Sequence, residues 1–282
     1  MIIDGKQVSI DIKNQVKKQV ETYVQTQGVI PKLVVVLVGD IEASKIYVKN
    51  KERACKDAGI LTQTIRKSAD IKEEELLSTI KELNQDSSVH GILVQLPLPK
   101  HMNESKVIDT IDPRKDVDGF HTLNKGTMLL ANKGLLPATP KGILTLLKTY
   151  NIPIAGKKAV VVGRSNIVGK PVSIMLLNEN ATVTITNSYT KDLKFETLQA
   201  DILVVATGKA NLITKDMVKE GAVVIDVGMN RFEGKLCGDV DYDAVFNVAS
   251  YITPVPGGVG PMTIASLLQN TLLAYEQQVM KK

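Results

Sequence analysis

The strongest constraint on this chain is its rhythm. Short runs rich in β-branched residues alternate with longer amphipathic stretches. Residues 33–38, Leu-Val-Val-Val-Leu-Val, are apolar at every position. A strand apolar on both sides must be covered on both faces, which is the condition of a parallel sheet flanked by helices. The spacing predicts a strand over 33–38, a helix over 42–58 stopped by Gly59, a weaker strand over 62–66, a helix over 72–84 and a third strand over 91–94. That succession is the pattern of βαβ units.

Residues 112–132 are less regular. Pro137 and Pro140 then bracket a helix start, with helix expected over 141–150. A second alternating block follows, with buried strands expected at 159–162, 181–186, 202–205 and 223–227. A turn-rich segment, 253–262, leads into a last helix over 263–278. The fold class is α/β, in two lobes, with the boundary between Phe120 and Pro140. No tandem repeat interrupts the pattern.

A length of 282 residues accommodates two such lobes. Hydrophobic residues at 44% and charged residues at 23% are the balance of a globular chain with a sizeable core, and the absence of Trp makes that core aliphatic. The net charge of +5 carries no basic run, which argues against a nucleic-acid role. A mild positive field still favours phosphorylated cofactors and carboxylate-rich substrates. Cys55 and Cys237 form no Cys-x-x-Cys pair, so neither zinc nor a disulfide framework is expected. The first residues include Asp4 and Lys6 and lack a signal-peptide core, and the apolar runs are too short to span a bilayer. A cytoplasmic location is the expectation.

The clearest local signal is Val162-Gly163-Arg164-Ser165-Asn166-Ile167-Val168-Gly169-Lys170-Pro171, a strand end, a glycine-bounded turn and a helix start. Gly163 permits a tight turn. Gly169 lets the helix pack closely, and its N-terminus suits a pyrophosphate. An ordinary βα turn is the alternative. An NAD site usually carries an acid about 20 residues past the first glycine to bind the ribose 2′-hydroxyl. Here that region is Thr186-Asn187-Ser188-Tyr189-Thr190-Lys191, without an acid. Arg164 and Ser188 could instead hold a 2′-phosphate, which favours NADP. Thr207-Gly208 and Asp226-Val227-Gly228 follow later strands, as cofactor turns or as plain ones.

In the first lobe, Tyr47 and Lys51 are four residues apart and share a helix face. An exposed lysine beside a half-buried tyrosine is the plain alternative. Facing a site, Lys51 would have its pKa lowered by burial and could act as an acid–base. Gln95-Leu96-Pro97-Leu98-Pro99 places Gln95 at the carboxyl end of a strand. Asp118, before Gly119, is a turn former or a carboxylate reading a polar ring; sequence alone favours the turn. Pro254-Val255-Pro256-Gly257-Gly258-Val259-Gly260-Pro261-Met262-Thr263 lets backbone approach a ligand, or serves as a hinge.

Taken together, and in this order, these motifs resemble the bifunctional methylenetetrahydrofolate dehydrogenase/cyclohydrolase family along essentially the whole chain. The resemblance implies two α/β lobes flanking a cleft, the second a Rossmann-like dinucleotide-binding domain. It implies a folate-binding catalytic domain at 1–136 plus 262–282 and an NADP-binding domain at 137–261. It implies oxidation of 5,10-methylenetetrahydrofolate with NADP, then hydrolysis of the methenyl product to 10-formyltetrahydrofolate, in one-carbon metabolism supplying purine biosynthesis. Lys51 would be the acid–base, with Gln95 holding it, Tyr47 stacking on the substrate and Asp118 bonding the pterin. Pro256, Gly257 and Gly258 would line the folate pocket. Gly163, Arg164, Ser165, Val168, Gly169, Ser188, Thr207 and Gly208 would hold NADP. No metal, membrane or nucleic-acid partner is implied, and a homodimer is. Many relatives carry His before the serine and a basic residue after it; here Asn187 and Tyr189 flank Ser188, so the grip on the 2′-phosphate rests more on Arg164 and Ser188. A monofunctional dehydrogenase, or another two-lobe NADP dehydrogenase, is the alternative.

Overall fold

The computed structural model describes residues 1–232 and 234–280. The chain divides into two compact units. One comprises Asp11–Thr127, Lys133–Ala138 and Ile264–Lys282, here the Lys51 unit; the other comprises Met1–Ile10, Met128–Asn132 and Thr139–Thr263, the Gly163 unit.

The chain begins with α1 (Gly5–Gln27), then β1 (Lys32–Val38), α2 (Glu42–Asp57), β2 (Leu61–Lys67), α3 (Glu73–Gln85) and β3 (Gly91–Val94). The short helices α4 (Glu104–Thr110) and α5 (Thr122–Leu129) follow. In the Lys51 unit the strands form a parallel sheet in the order β2-β1-β3. β1 is central, and six of its seven residues are buried, as its uninterrupted apolar run requires. Val34, Val36, Leu76, Ile80, Ile92 and Val94 share one apolar cluster. Each such burial contributes about 1.5–3 kcal/mol. Three glutamates, Glu73 to Glu75, open α3, where the helix dipole favours negative charge. At its other end the buried Lys115 ammonium donates to the carbonyls of Leu83 (3.1 Å), Asn84 (2.9 Å) and Asp86 (2.8 Å). Those are carbonyls a helix leaves without intrahelical partners.

In the Gly163 unit lie α6 (Ala138–Thr149), β4 (Lys158–Val162), α7 (Gly169–Asn178), β5 (Thr182–Thr186), α8 (Leu193–Thr197), β6 (Ile202–Val205), β7 (Val223–Asp226), the hairpin β8 (Asn230–Phe232) and β9 (Lys235–Cys237), α9 (Tyr242–Phe246) and β10 (Tyr251–Ile252). Five of these strands make a parallel sheet in the order β10-β7-β6-β4-β5. Chain order therefore reverses between β4 and β6, which leave the sheet on opposite sides. In an open α/β sheet, such a switch point is where a crevice opens at the strands' carboxyl ends. The final helix, α10, spans Val259–Val279.

Most expected elements lie within a residue or two of their places. The last helix starts four residues earlier than expected and takes in Gly260, Pro261 and Met262. Pro261 is its third residue, where a missing N–H breaks no intrahelical bond. The helix α1 lay outside the expected pattern. Its apolar face is the sparse series Val8, Ile12, Val16 and Val20, all buried, in an otherwise polar stretch.

Candidate active site

Lys51 lies in the third turn of α2 and is only 7% exposed, whereas Tyr47, one turn earlier, is 40% exposed. This reverses the plain expectation for the pair: the amine is buried and the ring is open. Lys51 Nζ donates to Gln95 Oε1 at 3.1 Å. The Gln95 amide has one orientation available for this, because its Nε2 donates to the Leu96 carbonyl at 2.8 Å. Gln95 itself is fixed at the carboxyl end of β3 by its N–H, which donates to the Val36 carbonyl. An intramolecular hydrogen bond contributes about 0.5–1.5 kcal/mol net, which favours one rotamer of a long side chain.

Asp118 joins the same site. Its segment runs parallel to β3 through the Ile92–Asp116 bridge, and the Ile92 N–H donates to the Lys115 carbonyl at 2.7 Å. Asp116 is buried and accepts from the His121 N–H and from Asn124 Nδ2, both at 2.8 Å. Asn270 of α10 donates to the Val117 carbonyl at 2.9 Å. The backbone leading into Asp118 is thus held from both sides. Burial pushes the Asp118 pKa up, the Lys51 charge pulls it back, and the nearby Asp116 adds to the rise. Burial also raises the Tyr47 phenol.

In the Gly163 unit, β4 ends in Gly163 at φ +116°. A Cβ there would lie 2.2 Å from the Ala206 carbonyl oxygen, and one on Gly169 would lie 2.2 Å from the Gly163 carbonyl oxygen. Both glycines are therefore required for the turn after β6 and the start of α7 to close upon β4. Ser165 Oγ accepts from the Val168 N–H at 3.1 Å and the Gly169 N–H at 3.3 Å, capping α7. Arg164 is exposed, its guanidinium 5.8 Å from the Tyr189 ring centre, within the roughly 6 Å reach of a cation–π contact. Ser188, beside it, is exposed. No carboxylate occurs between Thr186 and Lys191. The arrangement fits a dinucleotide: a switch-point turn with no room for side chains at its floor, the positive dipole end of a ten-residue helix, and a guanidinium beside the loop where NAD sites carry an acid.

The sequence matches the family description "Tetrahydrofolate dehydrogenase/cyclohydrolase, catalytic domain" over residues 3–118 and "Tetrahydrofolate dehydrogenase/cyclohydrolase, NAD(P)-binding domain" over residues 137–279. The chain belongs to the tetrahydrofolate dehydrogenase/cyclohydrolase family. Among curated relatives, "Bifunctional protein FolD" of Francisella philomiragia is 58% identical over 98% of both chains. Among solved structures, the bifunctional FolD dehydrogenase/cyclohydrolase of Campylobacter jejuni is 50% identical, with a TM-score of 0.96 over 98% of this chain and 99% of that one. The Trypanosoma brucei dehydrogenase-cyclohydrolase, solved with NADP cofactor and an inhibitor, is 35% identical, with a TM-score of 0.95 over 99% of this chain and 98% of that one.

Of the residues expected from sequence, the structure gathers Tyr47, Lys51, Gln95 and Asp118 in one unit, and Gly163, Arg164, Ser165, Val168, Gly169, Ser188, Thr207 and Gly208 in the other. Pro256, Gly257 and Gly258 belong to the Gly163 unit, where the Gly258 N–H donates to the Pro254 carbonyl and the Lys6 N–H to the Gly257 carbonyl. That is a different unit from the one that holds Tyr47 and Asp118. Two buried carboxylates, Asp116 and Asp239, have roles that sequence reading missed. Asp239 accepts from the Thr207 and Gly208 N–H groups at 2.6 and 2.9 Å. The available signal was an acid directly after Gly238, in a segment with no other reason to be tight.

Proposed function

We infer that this chain oxidises 5,10-methylenetetrahydrofolate with NADP and hydrolyses the resulting 5,10-methenyltetrahydrofolate to 10-formyltetrahydrofolate. The observation carrying the hydrolytic half is the buried Lys51 amine held by Gln95 beside Asp118. Hydrolysis of a cationic methenyl bridge needs a group that takes a proton from the attacking water and returns one to the departing ring nitrogen. Lys51 Nζ is that group; Gln95 keeps it aimed, and Asp118 accepts hydrogen bonds from the pterin ring. Tyr47, with its open ring, stacks against the substrate.

For the oxidative half, the Gly163–Gly169 turn and the α7 N-terminus hold the diphosphate. Arg164, supported by Tyr189 and joined by Ser188, holds the 2′-phosphate. When bound, the dinucleotide supplies the hydride acceptor. The chain's own contribution is orientation, which can be worth about 7–11 kcal/mol in well-aligned systems.

The enzyme works as a homodimer in the cytoplasm in this reading. Exposed apolar side chains on the Gly163 unit, among them Leu177, Ile185 and Phe195, support a partner surface there. Among the described residues no helix is long and apolar enough to cross a membrane.

The test is two assays on the purified protein. Methylenetetrahydrofolate with NADP should yield NADPH and methenyl product together. Methenyltetrahydrofolate with NADP omitted should disappear faster than it does spontaneously. NADPH formation with only spontaneous methenyl loss would leave a monofunctional dehydrogenase.

A further inference from the structure

Beyond the turn expected to hold the cofactor lies a buried arrangement with no assigned role. Asp226 ends β7 and is 2% exposed; Asp239 follows β9 and is fully buried. Asp226 Oδ1 accepts from the N–H groups of Gly228 and Asp239, each at 2.9 Å, and its Oδ2 accepts from the Val240 N–H at 3.0 Å. Asp239 Oδ2 accepts three bonds from the turn after β6: the Thr207 N–H at 2.6 Å, the Thr207 hydroxyl at 3.0 Å and the Gly208 N–H at 2.9 Å. Its Oδ1 accepts from Asn230 Nδ2 at 2.8 Å. A Cβ on Gly228 would lie 2.2 Å from Asp239 Oδ1, and one on Gly238 would lie 1.7 Å from Asp226 Oδ2, so both glycines make room for carboxylates.

The consequence concerns the switch point. The Thr207 and Gly208 amides are directed at Asp239, so they are spent as donors and unavailable to a phosphate. What the turn presents to Gly163 is the Ala206 carbonyl, 2.2 Å from where a Gly163 Cβ would be. The exits of β4 and β6 are tied to each other by the Ala206 N–H, which donates to the Val162 carbonyl at 2.8 Å; what Asp239 fixes is the course of Thr207 and Gly208 just beyond that bond.

We propose that Asp239 is a positioning residue for the dinucleotide: through the Thr207–Gly208 amides it sets the wall of the switch-point crevice. This rests on the dehydrogenase reading above. It differs from the Arg164 contact in touching no feature peculiar to NADP, so its loss weakens NADP and NAD alike.

The experiment compares the wild-type protein with Asp239→Ala and Asp239→Asn, measuring dissociation constants for NADP and NAD directly, along with steady-state constants and melting temperature. Asp239→Ala should raise both dissociation constants by a common factor of about 10–100, the usual scale for lost hydrogen bonds to a charged group. Asp239→Asn, which keeps one acceptor oxygen for the turn, should recover part of that loss. The turnover rate at saturating dinucleotide should fall much less than affinity. Unchanged affinity, a loss confined to NADP, or an equal collapse of turnover and of the KM for the folate would overturn the proposal. Should Asp239→Ala not fold, Asp239→Asn alone decides it: a common rise in both constants supports the proposal and no rise refutes it. A wild-type protein that binds neither dinucleotide would end the dehydrogenase reading and this inference with it. Binding by wild type, matched by a variant that binds equally well, would end the inference alone.

Discussion

Two side chains carry most of the chemistry, and they are held in opposite ways. Lys51 is buried and has its direction set by Gln95, whose other amide atom is already committed to Leu96. Arg164 is exposed, with the Tyr189 ring centre 5.8 Å from its guanidinium carbon. A guanidinium on a flexible stem gains from such a surface, because a planar contact reduces the freedom it must lose when an anion binds. The Arg164→Ala variant should raise the KM for NADP about 10- to 100-fold, as expected for a lost charge-assisted contact. Its effect on the KM for NAD should be far smaller, because NAD has no 2′-phosphate. Initial rates with both cofactors check this, and equal effects on the two would remove Arg164 from that role.

At the scale of elements, strands were more legible than helices. β1, β3 and β6 are runs of Val, Leu and Ile buried on both faces, and their identity requires no partner to be known. The Gly163–Gly169 turn was legible too, since close backbone approach leaves only glycine as a choice. The helix α1 was not, because its buried positions Val8, Ile12, Val16 and Val20 stand singly in a stretch dominated by lysines and glutamines, although Asp4, which accepts from the Gln7 N–H at 3.0 Å, and Gly28 at φ +66° marked its two ends. α4 and α5 are only 7 and 8 residues long, too short for periodicity to register. At the site, Lys51 and Gln95 were legible as motif residues, but nothing in the sequence ties position 51 to position 95. Asp118 read as a turn former, since Asp-Gly is a turn signal. The placing of its segment follows from bonds that Lys115, Asn124 and Asn270 make with Leu83, Asp116 and Val117, all remote in pattern. Asp239 was invisible for the same reason: its partners Thr207 and Gly208 lie more than thirty residues away.

Across the molecule, two buried groups, one in each unit, respond oppositely to acid. In the Lys51 unit, His90 is 2% exposed, its Nδ1 accepts from the Lys32 N–H, and burial lowers its pKa from 6.5 to about 4. The unfolded chain therefore binds a proton that the folded unit refuses. The stability due to this group is complete above pH 6.5 and is lost as pH falls toward 4, by about 3 kcal/mol at roughly 1.4 kcal/mol per pH unit. In the Gly163 unit, burial raises Asp226 from 3.8 to about 6, so the folded form holds its proton more tightly, and that contribution weakens as pH rises from about 4 to 6. Urea unfolding followed by a probe in each unit should show the Lys51 unit losing stability between pH 6.5 and 4. In His90→Gln, whose amide oxygen can still accept from Lys32, that slope should flatten. An unchanged slope would contradict the assignment to His90.

The most direct measurement for the whole account is methenyltetrahydrofolate hydrolysis by Lys51→Ala, with NADP omitted, alongside NADP affinity and melting temperature on the same preparation. The account predicts hydrolysis at the spontaneous rate from a folded protein whose Gly163 unit still binds NADP. Hydrolysis at the wild-type rate would show that the proton passes through another group, and the Lys51–Gln95–Asp118 site would lose its function.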